Sequence, residues 1–316
     1  MKPEALLDPE YQVFLQPSPS EWTLAGLPLI RARVSAGIAA PNPAERQVRW
    51  ARSAAEGFDI RLCIYRPAPA AAVGNLPAVL YVHGGGFVLG SPEMAHDYLR
   101  DLAQALQLVI VAVDYRLAPE HPFPTPLEDC FTALQWLYDE SAALGVDPRR
   151  VALMGHSAGG GLAAALALVA RDRQTRPLAG LLLVYPMLDH RTGAPESPIL
   201  NETLGIIGWG REANQFCWAC LHGEQTLSTR DQPLFSPALA TDLARLPPSF
   251  VCVGALDLFL EEGVEFSMKL SKAGVPVELH VYPGVPHLFD FHPGQVTEQC
   301  KLDVRRALAK MCCPST

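Results

Sequence analysis

The sequence predicts an α/β fold, with a mostly parallel central sheet, helices on both faces and a helical cap over one rim. Three observations predict it. From about residue 78 onward, short apolar runs alternate with helix-length segments, the pattern of strands buried on both faces. Two glycine-rich phrases, His83-Gly84-Gly85-Gly86-Phe87 and Gly155-His156-Ser157-Ala158-Gly159, each follow such a run and open into a helical stretch. The region from His190 to Leu246 breaks the rhythm and is too long for a simple connection, so it reads as an inserted cap.

Taken in order, residues 1–45 carry scattered apolar side chains among prolines and are expected to form one or two short helices beside that cap. Val48 to Arg66 reads as two strands with a turn near Glu56-Gly57, and Pro67 to Pro77 as a loop. Strand-like runs then fall at Ala78–Val82, Leu108–Val113, Arg150–Met154, Leu178–Tyr185, Phe250–Ala255 and Val275–Tyr282. Helices are expected at Ala95–Ala105, Pro126–Leu144, Ala158–Arg171, Phe259–Ala273 and Val296–Met311. The expected layout is therefore a cap from 1–45 and 190–246, and a catalytic core from 46–189 and 247–316.

Composition narrows the function. The 316 residues are 49% hydrophobic, enough to bury one large core. Net charge is −8 and no run of lysine or arginine exists to hold phosphates, so nucleic acid is not an expected partner. Met1 to Asp8 has no apolar stretch of the secretory type, and the longest apolar run, Leu162 to Ala170, stops at Arg171. No stable membrane insertion is expected. The eight cysteines are irregularly spaced and read as free thiols of a reducing, cytoplasmic compartment. Cys217-Trp218-Ala219-Cys220 has no second ligand pair and reads as helix packing; no metal is expected. Cys313-Pro314-Ser315-Thr316 formally fits a prenylation box, but without aliphatic middle residues or a polybasic stretch it is not read as an anchor.

The chemistry centres on Ser157. G-x-S-x-G alone is weak, since a tight turn can hold an incidental serine. Here it lies between the strand Val151–Met154 and an alanine-rich helix, so the turn lifts the hydroxyl to the sheet rim and to a helix N-terminus. A serine hydroxyl needs a base. Of nine histidines, His83 belongs to the glycine loop, His121 to a proline-braced turn, His156 adjoins Ser157, and His280 lies within the last strand. His287 follows that strand in a loop, where parallel sheets place their chemistry; His292 is the alternative. Asp257 follows the preceding strand and supplies the orienting acid, the bland alternative being an N-cap for the next helix. The backbone amides of Gly84, Gly85, Gly86 and Ala158 suit a developing oxyanion. Ile206, Trp209 and Leu288 are candidates for the substrate pocket.

With these residues in view, the chain resembles the bacterial hormone-sensitive-lipase-like (family IV) carboxylesterases of the α/β-hydrolase fold. The resemblance rests on His83-Gly84-Gly85-Gly86-Phe87, Asp114-Tyr115-Arg116-Leu117-Ala118-Pro119-Glu120, Ser157-Ala158-Gly159-Gly160 and the Asp257 and His287 segments. It extends in order and spacing from about residue 45 to the C-terminus. It implies Gly85, Gly86 and Ala158 as the main oxyanion donors, Gly84 being the weakest candidate. It also implies a helical cap over an acyl pocket, hydrolysis of short- to medium-chain esters without a cofactor, and, as in many members, a homodimer. Three departures stand out: His156 where the family usually has Asp or Thr, Leu258 and Glu261 where Pro and Asp are common, and Pro286 where Gly often precedes the base. The expected function is a carboxylesterase acting on small acyl esters through a Ser-His-Asp triad and an acyl-enzyme. The alternatives are an amidase or deacetylase using the same triad, and a non-catalytic small-molecule receptor on the same scaffold.

Overall fold

The structure is a computed structural model and describes residues 2–16, 21–39, 41–53, 57–68, 75–195, 197 and 201–312. Among these residues eight strands form one sheet: β1 (Gln47–Arg52), β2 (Asp59–Tyr65), β3 (Leu76–Val82), β4 (Val109–Asp114), β5 (Val146–His156), β6 (Gly180–Val184), β7 (Ser249–Gly254) and β8 (Val277–Tyr282). Their spatial order is β1-β2-β4-β3-β5-β6-β7-β8. β2 runs antiparallel to both β1 and β4, and every pairing from β4 to β8 is parallel.

The central strands are apolar throughout because both faces of the sheet are covered. Leu80 of β3 lies beside Val111 of β4 and Leu153 of β5, and β3, β6 and β7 are buried along their whole length. The edge strand β8 lacks that cover and is only partly buried. The helices are α1 (Leu27–Gly37), α2 (His96–Leu106), α3 (Thr125–Asp139), α4 (Ala158–Asp172), α5 (Arg211–His222), the short α6 (Gln232–Phe235), α7 (Leu260–Lys272) and α8 (Gln295–Cys312). Two buried clusters result. One gathers Leu80, Val111, Leu153, Leu166 and Phe266; the other gathers Val79, Ile110, Met154, Leu182 and Leu308. They hold alternate residues of the same strands, which point to opposite faces.

Helix α3 stops at Asp139, five residues short of the expected Leu144, because residues 140–145 turn back to deliver Val146 to β5, with the Val146 amide bonded to the Ser141 carbonyl. The expected turn at Glu56-Gly57 is described only at Gly57, most of the 67–77 loop lies outside the described residues, and so does Cys313-Pro314-Ser315-Thr316. Cys217 and Cys220 are both buried on α5. Among the described residues no group of side chains is arranged to hold a metal ion, and no helix is long and apolar enough to cross a membrane.

Charge pairs fasten the N-terminal region to this core. On α1, the Arg31 guanidinium meets the Glu120 carboxylate through two hydrogen bonds of 2.6 and 2.8 Å, and also donates to the Val88 and Ala118 carbonyls. Glu93 takes Arg46 and Arg61 together.

Candidate active site

Ser157 closes β5 and caps α4. Its backbone sits at φ +56° and ψ −122°, a sparsely populated region for a side-chain-bearing residue. The turn is possible because its neighbours have no Cβ. One added at Gly155 would fall 2.1 Å from the Gly159 carbonyl oxygen, and one at Gly159 would fall 2.2 Å from that of Val82. The strand, the turn and the helix thus approach to backbone contact, and the serine is left at the positive end of a 15-residue helix.

Ser157 Oγ lies 2.8 Å from His287 Nε2, and His287 Nδ1 lies 2.7 Å from Asp257 Oδ2. The carboxylate fixes the tautomer: Nδ1–H donates to Asp257, so Nε2 is free to accept from the serine hydroxyl. The second oxygen of Asp257 accepts from the Phe259 amide at 2.9 Å, so this residue also caps the turn entering α7. All three side chains are buried. The His287 ring is held edgewise by Tyr185 at 4.6 Å and Phe259 at 4.9 Å between centroids, with Trp209 at 6.1 Å. His292 is elsewhere, its Nε2 3.0 Å from the Glu10 carbonyl oxygen.

Gly84, Gly85 and Gly86 line the same cavity as Ser157 and His287. Gly85 and Gly86 have φ of +115° and +60°, which glycine alone adopts without strain. A Cβ at Gly86 would strike the Cys217 sulfur at 2.5 Å. The Ala158 amide is the first of α4 and so has no acceptor within the helix. His83 braces the loop. Its ring stacks on Tyr115 at 4.2 Å, its Nδ1–H donates to the Gly84 carbonyl, and its own carbonyl accepts from the Tyr115 hydroxyl. Burial pushes the His83 pKa down, which keeps the imidazole neutral.

The cavity measures about 470 Å³. Its roof comes from two distant parts of the chain: Trp22, Ile30 and Val34 from the N-terminal region, Trp209 and Ala213 from the 190–246 segment. They meet where Trp22 packs edgewise on Trp209 at 5.3 Å. Trp209 and Leu288 therefore line the cavity, whereas Ile206 does not. Gly205 and Gly208, both at positive φ, turn the chain so that Ile206 is 56% exposed and its neighbour Ile207 is buried instead. Trp22 was missed because an isolated aromatic in a proline-rich segment has no periodic signal.

Sequence reasoning also missed a polar group behind the base. The Tyr185 hydroxyl donates to Asp290 Oδ1 at 2.5 Å, and His156 Nε2 lies 3.4 Å from Asp290 Oδ2. His156 is boxed by the rings of Tyr81, Tyr98 and Tyr185. Asp290 thus ties the ends of β5 and β6 to the loop that carries His287. A buried carboxyl, Glu262 on α7, accepts from the Leu188 amide at 2.6 Å and pairs with the Thr192 hydroxyl. Burial pushes its pKa well up, against the pull of those two hydrogen bonds, and Asp189 and Asp257 add to the rise.

A family model described as the alpha/beta hydrolase fold matches residues 79–291. The chain is 35% identical over 239 residues to esterase LipI of Mycobacterium tuberculosis (strain H37Rv), covering 74% of this chain and 72% of that one. It is 33% identical over 295 residues to carboxylesterase NlhH of the same species, covering 89% and 88%. Among solved structures, a bacterial heroin esterase superposes with a TM-score of 0.86 at 32% identity over 98% of each chain.

Proposed function

The chain belongs to the α/β-hydrolase fold family, among its bacterial hormone-sensitive-lipase-like (family IV) esterases, and from that membership we propose that it hydrolyses short- to medium-chain acyl esters through Ser157, His287 and Asp257. The observation that carries the assignment of roles is the unbroken relay from Ser157 Oγ to His287 at 2.8 Å and from His287 to Asp257 at 2.7 Å.

In this reading Ser157 attacks the ester carbonyl while His287 Nε2 removes its proton. The imidazolium is steadied by Asp257 and then protonates the departing alcohol. The amides of Gly85, Gly86 and Ala158, with Gly84 beside them, receive the oxyanion, and each such donor is worth on the order of 3 kcal/mol in the transition state. Water repeats the cycle on the acyl-enzyme. No cofactor takes part in these steps.

Chain-length preference follows from the roof. Trp22 and Trp209 close a cavity of about 470 Å³, which suits acyl chains of about four to eight carbons, since pockets of a few hundred Å³ bury ligands of that size. Residues 1–45 and 190–246 form the cap in this reading, over a core of 46–189 and 247–316. Cys63, Cys130, Cys217, Cys220, Cys252 and Cys300, buried free thiols, fit residence in a reducing cytoplasm. A homodimer belongs to the same proposal and is tested by sedimentation.

A chain-length series of aryl esters, run with and without a serine-directed phosphonate, tests the reading. Turnover is expected to peak at short to medium chains and to vanish on labelling. Ser157→Ala should keep the wild-type melting profile and lose hydrolysis altogether. Retained turnover in that variant means that the nucleophile is another residue. An anilide compared with the matching phenyl ester separates an esterase from an amidase.

A further inference from the structure

The two rings that meet the His287 imidazole edgewise are tied down in different ways. Phe259 is held through its backbone, whose amide donates to Asp257 at 2.9 Å. Tyr185, just past β6, is held at its far end, where its hydroxyl donates to Asp290 Oδ1 at 2.5 Å. We propose that Asp290 is a positioning residue for ester hydrolysis, holding His287 in line with Ser157 through the ring of Tyr185. The proposal rests on the esterase reading above and deepens it.

The contacts form a closed circuit. Asp290 lies three residues beyond His287, in the short helical turn Phe289–Phe291. Its carboxylate anchors the Tyr185 hydroxyl, and the Tyr185 ring returns to His287, 4.6 Å between centroids and 68° between planes. A ring contact restrains the imidazole only if the ring itself is fixed. Tyr185 is fully buried, and its backbone sits at φ +37°, a conformation uncommon for a residue with a side chain that persists where the surroundings hold it. Its amide donates to the Cys252 carbonyl at 2.6 Å. Backbone and hydroxyl thus fix the ring at both ends. Burial pushes the phenol pKa well up and the charge of Asp290 adds to the rise, so the hydroxyl keeps the proton it donates.

The other oxygen of Asp290 faces His156 Nε2 at 3.4 Å. His156 directly precedes Ser157 and packs edgewise on Tyr185 at 5.6 Å. One carboxylate therefore touches the strand end that delivers the nucleophile, the loop that delivers the base and the ring packed on that base. An acid in place of His156 would set like charge against Asp290, so the imidazole at 156 and the acid at 290 suit each other.

Asp290 is not among the residues lining the catalytic cavity, so it bears on the reaction only through its neighbours. Misplacing a catalytic group by about 1 Å costs on the order of 10²-fold in rate. Freed at its hydroxyl, Tyr185 keeps its backbone anchor and its packing, so the expected loss is smaller, about tenfold.

The test measures kcat and KM for 4-nitrophenyl butyrate, with active sites counted by titration to completion with a serine-directed phosphonate. Tyr185→Phe keeps the ring and removes the hydroxyl. Its kcat per titrated site should fall about tenfold with KM within about twofold, since acylation and deacylation use the same imidazole. Asp290→Leu should lose as much, whereas Asp290→Asn, which still offers an oxygen to the Tyr185 hydroxyl, should restore kcat to within about threefold of wild type. A role in stability alone would lower the melting temperature and the number of titrated sites, not kcat per site. A Tyr185→Phe kcat within about threefold of wild type overturns the proposal, whether or not Asp290→Leu folds. A larger loss than that in Asp290→Asn overturns it as well, because the acceptor would then not be what matters. If the wild-type protein hydrolyses no ester and takes up no phosphonate, the esterase reading itself has failed.

Discussion

At the scale of single residues, the site depends on contacts that leave no room for adjustment. The backbone strain at Ser157 is held by strand–helix contacts that any side chain at Gly155 or Gly159 would break. Those glycines and the serine were legible because a local turn has a local sequence signature. Asp290, Tyr185 and Trp22 were not, because each acts through a partner more than 100 residues away and neither its spacing nor its residue type announces the contact. Asp257 is the residue whose role is most open to a direct check. Asn in its place keeps the volume and still accepts from the Phe259 amide, but its NH₂ group toward His287 Nδ1 favours the wrong tautomer. Asp257→Asn should therefore fold normally while kcat falls by about 10⁴-fold. A stopped assay and a melting curve on the same preparation decide it, and a kcat within tenfold of wild type would remove Asp257 from the relay.

At the scale of elements, the parallel strands and the helices between them were legible because each is a short apolar run or an amphipathic stretch bounded by turn residues. The 190–246 segment was legible only as an interruption. Its apolar residues divide between solvent and cavity by glycine turns, which is why Ile206 and Trp209 lie in different places despite similar hydrophobicity. Helix α7 shows how one element steadies another. Glu262 reaches from it to Leu188 and Thr192, beyond the end of β6. Its raised pKa means that the folded protein holds a proton at this carboxyl which the unfolded chain releases above about 4.5. Stability on its account is therefore full below that pH and declines as pH rises toward the folded-state value, by up to about 1.4 kcal/mol per pH unit. Glu262→Gln removes the proton without removing the hydrogen-bonding atoms. Urea unfolding at pH 5 and pH 8 should show the variant gaining on wild type at the higher pH. Parallel pH profiles would mean that Glu262 is ionised in the folded state.

At the scale of the whole molecule, the cavity is lined from two distant parts of the chain, with Trp22, Ile30 and Val34 from the N-terminal region and Trp209 and Ala213 from the 190–246 segment. On the N-terminal side, Arg31 and Glu120 form a charge-assisted clamp. Arg31 also bonds the Val88 and Ala118 carbonyls, in the chain just past the glycine loop and in the turn before Glu120. The same helix supplies Ile30 and Val34 to the pocket. Removing the guanidinium frees α1 without touching the relay, so Arg31→Ala should raise KM several-fold while kcat stays within about twofold. Limited proteolysis should also cut ahead of β1 faster than in wild type. The hydrogen bond from Arg31 holds the Glu120 carboxyl at about 2. Because this acid is depressed on folding, its contribution is complete above the unfolded-state value near 4.5 and is lost only as pH falls through about 2. KM of the wild-type protein should accordingly hold steady from neutral pH to about 4 as far as this clamp is concerned, and Glu120→Gln should raise KM across that whole range. An unchanged KM in Arg31→Ala, with proteolysis also unchanged, would show that the N-terminal region is held by its other contacts, those of Trp22 with Trp209 and Phe216 among them.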